Sequence, residues 1–159
     1  MNVGANSITD YGNYYQYGKG AAQYAATSGQ SDYSGRENPL AASADTAAQE
    51  WGGTWRMPTQ AELQSLKANT NYTWETNFNG SGVNGGKFTD KTDSSKYIFI
   101  PATGYYEEGA LSDASSFGYF WSSTPNGGYS AYFLYFLDGN SYVSSQGRYY
   151  GLSVRGVLG

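Results

Sequence analysis

Residues 118–157 constrain the chain most, because they alternate large aromatic with small polar residues between glycine, asparagine and aspartate turns while carrying almost no charge. Beyond Ala114 the only charged side chains are Asp138, Arg148 and Arg155. A period of two is the mark of strands, and strands of this kind can bury one face and offer the other to a partner. In Ala131-Tyr132-Phe133-Leu134-Tyr135-Phe136, an inward Leu134 and Phe136 take Tyr132 with them and send Ala131, Phe133 and Tyr135 outward. Phe133 and Tyr135 are therefore expected to be exposed. Asp138-Gly139 is a favoured hairpin dipeptide. Past it, Val143 is the inward residue, and Tyr142 and Ser144 fall outward, across from Phe133 and Tyr135. Residues 148–151 form the next turn, and Leu152-Ser153-Val154-Arg155 reads as a closing strand. Two readings fit: an aromatic sheet whose tyrosines cover a small core, or a binding face of paratope-like composition.

The 159 residues correspond by length to one domain, residues 1–159. Seventeen tyrosines, twenty-two glycines and two methionines point away from a helical bundle and toward a mixed class of short strands and long loops. A formal net charge of -4 argues against nucleic acid, which is held by clustered Lys and Arg. No apolar run reaches membrane length, so no membrane span is expected. The N-terminus leads straight into polar sequence, unlike a signal peptide. The expectation is a chain that is not exported or is cut from a larger protein. With no cysteine and no histidine there is no thiol nucleophile, Ser-His dyad or imidazole or thiolate zinc site. No catalytic residue, metal ligand or cofactor is assigned.

Residues 10–18 read as a turn and a short aromatic strand, and residues 20–39 as mostly loop. Residues 45–51 suit a short helix capped by Asp45 or Ser43, with Trp51 as its anchor in the core and Gly52-Gly53 as its stop. A second helix covers residues 58–67, where Thr59 and Glu62 have capping-box spacing. Ala61 or Met57, with Leu63 and Leu66, would supply its buried edge, and Lys67 suits its C-terminal dipole. Residues 69–84 look like a loop-rich strand region. Residues 80–88 fail as a phosphate loop, since Ser81 replaces the first glycine and Phe88 the magnesium-binding hydroxyl. A hairpin turn is expected there instead. Tyr97-Ile98-Phe99-Ile100 is the most apolar strand, expected at a sheet centre and ended by Pro101, with residues 103–109 as a turn and partner strand. Glu107 and Glu108 are adjacent, so on a strand they face opposite ways and cannot share a glycosidic bond.

The order of the motifs resembles a bacterial family. Asn2-Val3-Gly4-Ala5, Asp10-Tyr11-Gly12, Tyr14-Tyr15-Gln16-Tyr17-Gly18 and Trp51-Gly52-Gly53-Thr54-Trp55-Arg56-Met57-Pro58-Thr59 are similar to the N-terminal half of the Fibrobacter major paralogous domain. Phe99-Ile100-Pro101-Ala102-Thr103-Gly104-Tyr105, Gly118-Tyr119-Phe120-Trp121-Ser122-Ser123 and Ser153-Val154-Arg155 are similar to its C-terminal half. The resemblance implies an α+β, C-type lectin-like fold of the formylglycine-generating-enzyme type: a twisted antiparallel sheet with two short helices and long loops. It also links the chain to variable proteins of diversity-generating retroelements, which carry a hypervariable ligand-binding region at the C-terminus, here residues 117–157. Adenine replacement in an asparagine codon cannot yield Lys, Glu, Gln, Met or Trp, and between Phe117 and Gly159 only Trp121 and Gln146 belong to that set. Formylglycine-generating activity needs cysteines, which this chain lacks. Thr124-Pro125-Asn126 lacks the carboxylate of the calcium-dependent sugar-binding motif.

These readings converge on a non-enzymatic ligand-binding protein. Tyr129, Phe133, Tyr135, Tyr142, Tyr149 and Tyr150 are its expected anchors, and Ser130, Asn140, Ser141 and Ser144 its expected hydrogen-bonding residues. The partner would be a protein or glycan on another cell or particle, met at a cell surface or on a phage particle as part of a larger protein. The other reading is a fixed-sequence bacterial surface adhesion or structural module, glycan-binding or not.

Overall fold

Short strands closed by tight turns build this computed structural model, which describes residues 1–25 and 35–159. Residues 26–34 of the expected 20–39 loop lie outside the described residues. Strand β1 is Tyr15–Gln16, helix α1 Thr46–Trp51, β2 Trp55–Arg56, α2 Gln60–Asn69 and β3 Thr70–Glu75. A 3-10 turn, Phe78–Gly80, leads to β4 Gly85–Asp90, β5 Tyr97–Pro101, β6 Tyr105–Glu107 and β7 Ala110–Ser112. The C-terminal stretch becomes β8 Gly118–Asn126, β9 Ser130–Leu137, β10 Asn140–Gly147, β11 Gly151–Leu152 and β12 Val157–Leu158. The strands form antiparallel sheets in the orders β1-β11-β6-β7, β10-β9-β8, β3-β4-β5 and β12-β2. Among the described residues the class is thus mixed, with two helices as expected, although the strands divide among four small sheets where a single one was foreseen.

Both helices start where side chains can satisfy free backbone N–H groups. The Asp45 carboxylate accepts from the Ala48 N–H at 3.0 Å and, from the same buried position, from the Met57 N–H at 3.1 and 2.9 Å. Both halves of the Thr59–Glu62 capping box are formed. Leu63 is buried and Leu66 packs beside it. Of the two residues offered to complete that edge, Ala61 is exposed and Met57 joins a different core. Trp51 does not anchor α1 in the core. Gly52 turns the chain at φ +66°, and the Trp51 indole, 37% exposed, lies edge-to-face on Trp55 at 4.9 Å.

Strand β5 lies at a sheet edge, with Tyr97 and Ile98 exposed and only Phe99, Ile100 and Pro101 buried. The centre belongs to β4, whose glycines let neighbours close in from both sides. A Cβ on Gly85 would fall 2.2 Å from the Ile100 carbonyl oxygen, and one on Gly86 would fall 2.7 Å from the Tyr72 ring. Residues 76–84 connect β3 to β4 with Glu75 opposite Gly85, so the turn expected over residues 80–88 ends at Asn84 and residues 85–88 belong to β4.

The sheet β10-β9-β8 is covered on both faces. Phe120, Leu134, Phe136 and Val143 pack with Leu63, Phe88 and Ile100 on one side. Trp121, Ala131 and Phe133 pack with Val3, Tyr15, Tyr17, Met57, Leu152 and Val154 on the other. The second covering is what the alternation did not show. The N-terminal segment crosses the supposed outer face, held by the Val3 N–H to the Val154 carbonyl at 2.9 Å and the Trp121 indole N–H to the Tyr15 carbonyl at 2.8 Å. Phe133, expected to be exposed, is 5% exposed, and Ala131 is buried with it. Tyr132, expected inward with Leu134, is half-buried.

Candidate ligand-binding site

A continuous path of aromatic rings runs along one side of the molecule. The β9–β10 hairpin turns at Asp138-Gly139 with Asn140 opposite Leu137, a register that pairs Tyr142 with Tyr135 and Ser144 with Phe133 as the alternation predicted. Tyr142 stacks on Tyr135 at 5.6 Å between ring centroids. Tyr135 in turn meets Phe117 at 5.8 Å and Tyr119 at 5.2 Å. From Tyr119 the path reaches Tyr105 at 4.8 Å, Tyr150 at 5.7 Å and Tyr149 at 4.4 Å. Gly147 makes room at the far end, since a Cβ there would stand 2.6 Å from the Tyr149 ring.

The ladder is fixed from below. Tyr119 stacks flat on buried Phe133 at 5.8 Å, Phe133 meets Trp121 at 6.3 Å, and Trp121 meets Tyr17 at 5.4 Å. The buried Arg148 guanidinium lies over the Tyr17 ring at 4.8 Å and donates to the Gly35 carbonyl at 2.6 Å. Arg148 thus serves the scaffold. Rings held this way lose little freedom when a partner settles on them.

Three hydroxyls of the ladder, those of Tyr119, Tyr135 and Tyr150, have their pKa raised. Burial pushes the Tyr119 hydroxyl well above the ordinary tyrosine range, and the Asp113 carboxylate beside it adds to the shift. A hydrogen bond with Tyr149 does the same for Tyr150, followed by burial and Glu107. Burial also raises Tyr135, with Tyr142 and Asp113 contributing. The face therefore offers ring surfaces together with the protonated hydroxyls of Tyr119, Tyr135 and Tyr150.

Of the anticipated binding residues, Tyr135, Tyr142, Tyr149 and Tyr150 join the ladder. Ser144 is exposed on the same strand face as Tyr142, and Asn140 donates to the Tyr142 hydroxyl at 3.2 Å. Tyr129 is 71% exposed at the β8–β9 turn, with its carbonyl accepting from the Arg148 N–H, and Ser130 is half-buried opposite Gly147. Phe133 and Ser141 are corrections. Phe133 is the ring beneath the face, and Ser141 is 3% exposed. Paired with buried Phe136, Ser141 stands on the inward face by the same alternation that puts Tyr142 outward.

The reading of the sequence missed Tyr105, Phe117 and Tyr119. The alternation Phe117-Gly118-Tyr119 could have signalled two of them, because it continues the C-terminal pattern by one strand. Tyr105 had no local signal; it arrives through the pairing of Gly151 with Tyr106, 45 positions apart in sequence.

Among the described residues no helix is long and apolar enough to cross a membrane. A family described as a domain of unknown function (DUF8237) matches residues 83–157, a span that contains the whole ladder. No curated protein and no solved structure matches the chain.

Proposed function

We propose that the aromatic ladder is the ligand-binding face of a non-enzymatic binding protein, built on a C-type lectin-like scaffold and diversified in the manner of retroelement variable proteins. The continuous path of half-exposed rings from Tyr142 to Tyr149 carries this reading. Tyrosine supplies a large, stiff contact area at small entropic cost, and a central tyrosine in an interface is commonly worth about 2 kcal/mol or more. Tyr129, Ser144 and Asn140 form a rim of exposed polar groups that can change without disturbing the core beneath. The partner is a protein or glycan presented by another cell or particle, and the chain acts at a cell or phage surface.

Sequencing the 3′ end of this gene across many copies from its source population tests the proposal without knowledge of the ligand. Substitutions should concentrate at Tyr129, Tyr135, Tyr142, Ser144, Tyr149 and Tyr150, while Trp121, Phe133, Leu134 and Phe136 stay constant. Variation spread evenly, or missing from those positions, would overturn it in favour of a fixed adhesion or structural module.

A further inference from the structure

The sheet β1-β11-β6-β7 carries a second aromatic site on its other face. Successive strand residues point to opposite sides, so Tyr105 joins the ladder while Tyr106 turns away from it. There Tyr106 meets Tyr14 edge-to-face at 4.9 Å and Tyr24 at 5.5 Å. These rings, with the carboxamide residues Asn13 and Gln23, line an open cleft of about 430 Å³, which lies within the range of roughly 300 to 1,000 Å³ usual for small-ligand pockets.

The rings are held in place before any ligand arrives. The Tyr14 hydroxyl donates to the Thr103 carbonyl, and burial keeps it protonated far above neutrality. The Gly109 N–H donates to the Tyr24 hydroxyl at 3.0 Å. Gly151, paired with Tyr106, has no side chain, and a Cβ there would come within 2.7 Å of the Tyr24 ring. Glycine at that position is what lets Tyr24 lie against β11.

We propose that this cleft binds a neutral saccharide. Tyrosine faces offer an apolar platform to the C–H face of a pyranose ring. Carboxamides carry both a donor and an acceptor, the combination that adjacent sugar hydroxyls require. Among the described residues the lining contains no Lys, Arg, Asp or Glu, so these offer neither the guanidinium or ammonium that holds a phosphate or carboxylate nor a counter-charge for a cationic ligand. The site is separate from the ladder, and it stands or falls independently of it.

The test is a titration of the full chain, carrying ¹³C-labelled tyrosine, with methyl glucoside, methyl galactoside, N-acetylglucosamine and their neutral disaccharides, followed by NMR. The Tyr14, Tyr24 and Tyr106 ring signals should shift saturably, with dissociation constants on the order of 1 mM. Gln23 is exposed, so Gln23→Ala keeps the fold; it should weaken binding about fivefold, the value of one hydrogen bond. Tyr106→Ala should abolish the shifts, and Tyr142→Ala on the ladder should leave them unchanged. The proposal is overturned if none of these sugars moves the three signals, or if glucuronate or a short peptide moves them equally well. It is also overturned if Gln23→Ala and Tyr106→Ala bind as the parent chain does.

Discussion

Phe133 and Tyr142 lie on adjacent strands and on the same face of their sheet, yet 5% of one and 43% of the other is exposed. Phe133→Ala removes the ring on which Tyr119 rests and should cost about 3 to 5 kcal/mol. Tyr142→Ala removes the ring at the outer end of the ladder, with its exposed contacts to Asn140 and to the Lys67 ammonium, and should cost under about 1 kcal/mol. Urea unfolding of both variants compares them, and similar losses would mean that Tyr142 belongs to the core. Alternation assigns a residue to a face, but whether that face meets water depends on what crosses it. Here Val3, Tyr15 and Tyr17 cross it, and nothing local to residues 131–136 announces them. Asp45 is the opposite case, a residue whose cap was legible but whose full role was not. Besides capping α1 it accepts from the buried Met57 N–H, so Asp45→Ala loses the cap and orphans a donor. The expected cost is about 2 to 4 kcal/mol, read as a lowered melting temperature. A loss no larger than that of an ordinary cap would remove Met57 from the account.

At the scale of the element, α2 was the most legible part of the chain because its start signal is local and chemical. Thr59 and Glu62 are three residues apart and bond one another's backbone N–H groups at 3.2 and 2.8 Å. The structure adds a bidentate pair between Glu62 and the Arg56 guanidinium, at 2.8 and 2.6 Å. That bond, chiefly, pulls the Glu62 carboxyl down to about 2. A carboxylate with a depressed folded pKa stabilises above its unfolded value, about 4.3, and that contribution disappears as pH falls toward 2. The pair is partly exposed and screened by solvent, so its contribution is under about 1 kcal/mol. Glu62→Gln keeps an acceptor for the Thr59 N–H and removes the ion pair. Its melting temperature should fall slightly at pH 7 and match the parent near pH 2, whereas an equal deficit at both values would contradict the pairing. Strand β5 shows the limit of local reading. Its apolar run says that it is buried somewhere, but only the glycines of β4, which accept neighbours on both sides, make β4 the centre and leave β5 at the edge.

For the whole molecule, the decisive fact is that β8, β9 and β10 separate two cores, one closed by α2 and β4 and the other by the N-terminal segment. Strands β1, β5, β9 and β10, both helices and the β9–β10 register were open to inspection in the sequence, whereas β2 and β12 were not read and the start of β4 was read as a turn. The pairing of β1 with β11, which brings Tyr15 opposite Leu152, was not, because no turn chemistry links segments so far apart. A physical consequence of wrapping so many tyrosines into these two cores, the ladder and the cleft appears at high pH. Burial pushes the hydroxyls of Tyr14, Tyr17, Tyr72 and Tyr119 well above their ordinary value, and the Tyr149 hydrogen bond leads the same shift in Tyr150. A group whose folded pKa is raised keeps its full contribution to stability below the unfolded pKa, about 10 for tyrosine, and loses it as pH rises beyond that. Several such groups act together, the surface ones less than the buried ones, so stability should fall steeply above pH 10. Tyrosinate absorbance should then show a phase that coincides with loss of circular dichroism. Tyr17 isolates one contributor, since its hydroxyl is buried and has no hydrogen-bond partner among the described residues. Tyr17→Phe removes both the unsatisfied group and its proton. Stability at pH 7 should be unchanged or raised by up to about 1 kcal/mol, and the alkaline midpoint should move upward. If all tyrosines instead ionised near pH 10 while circular dichroism stayed native, the rings would not be packed as the two cores require.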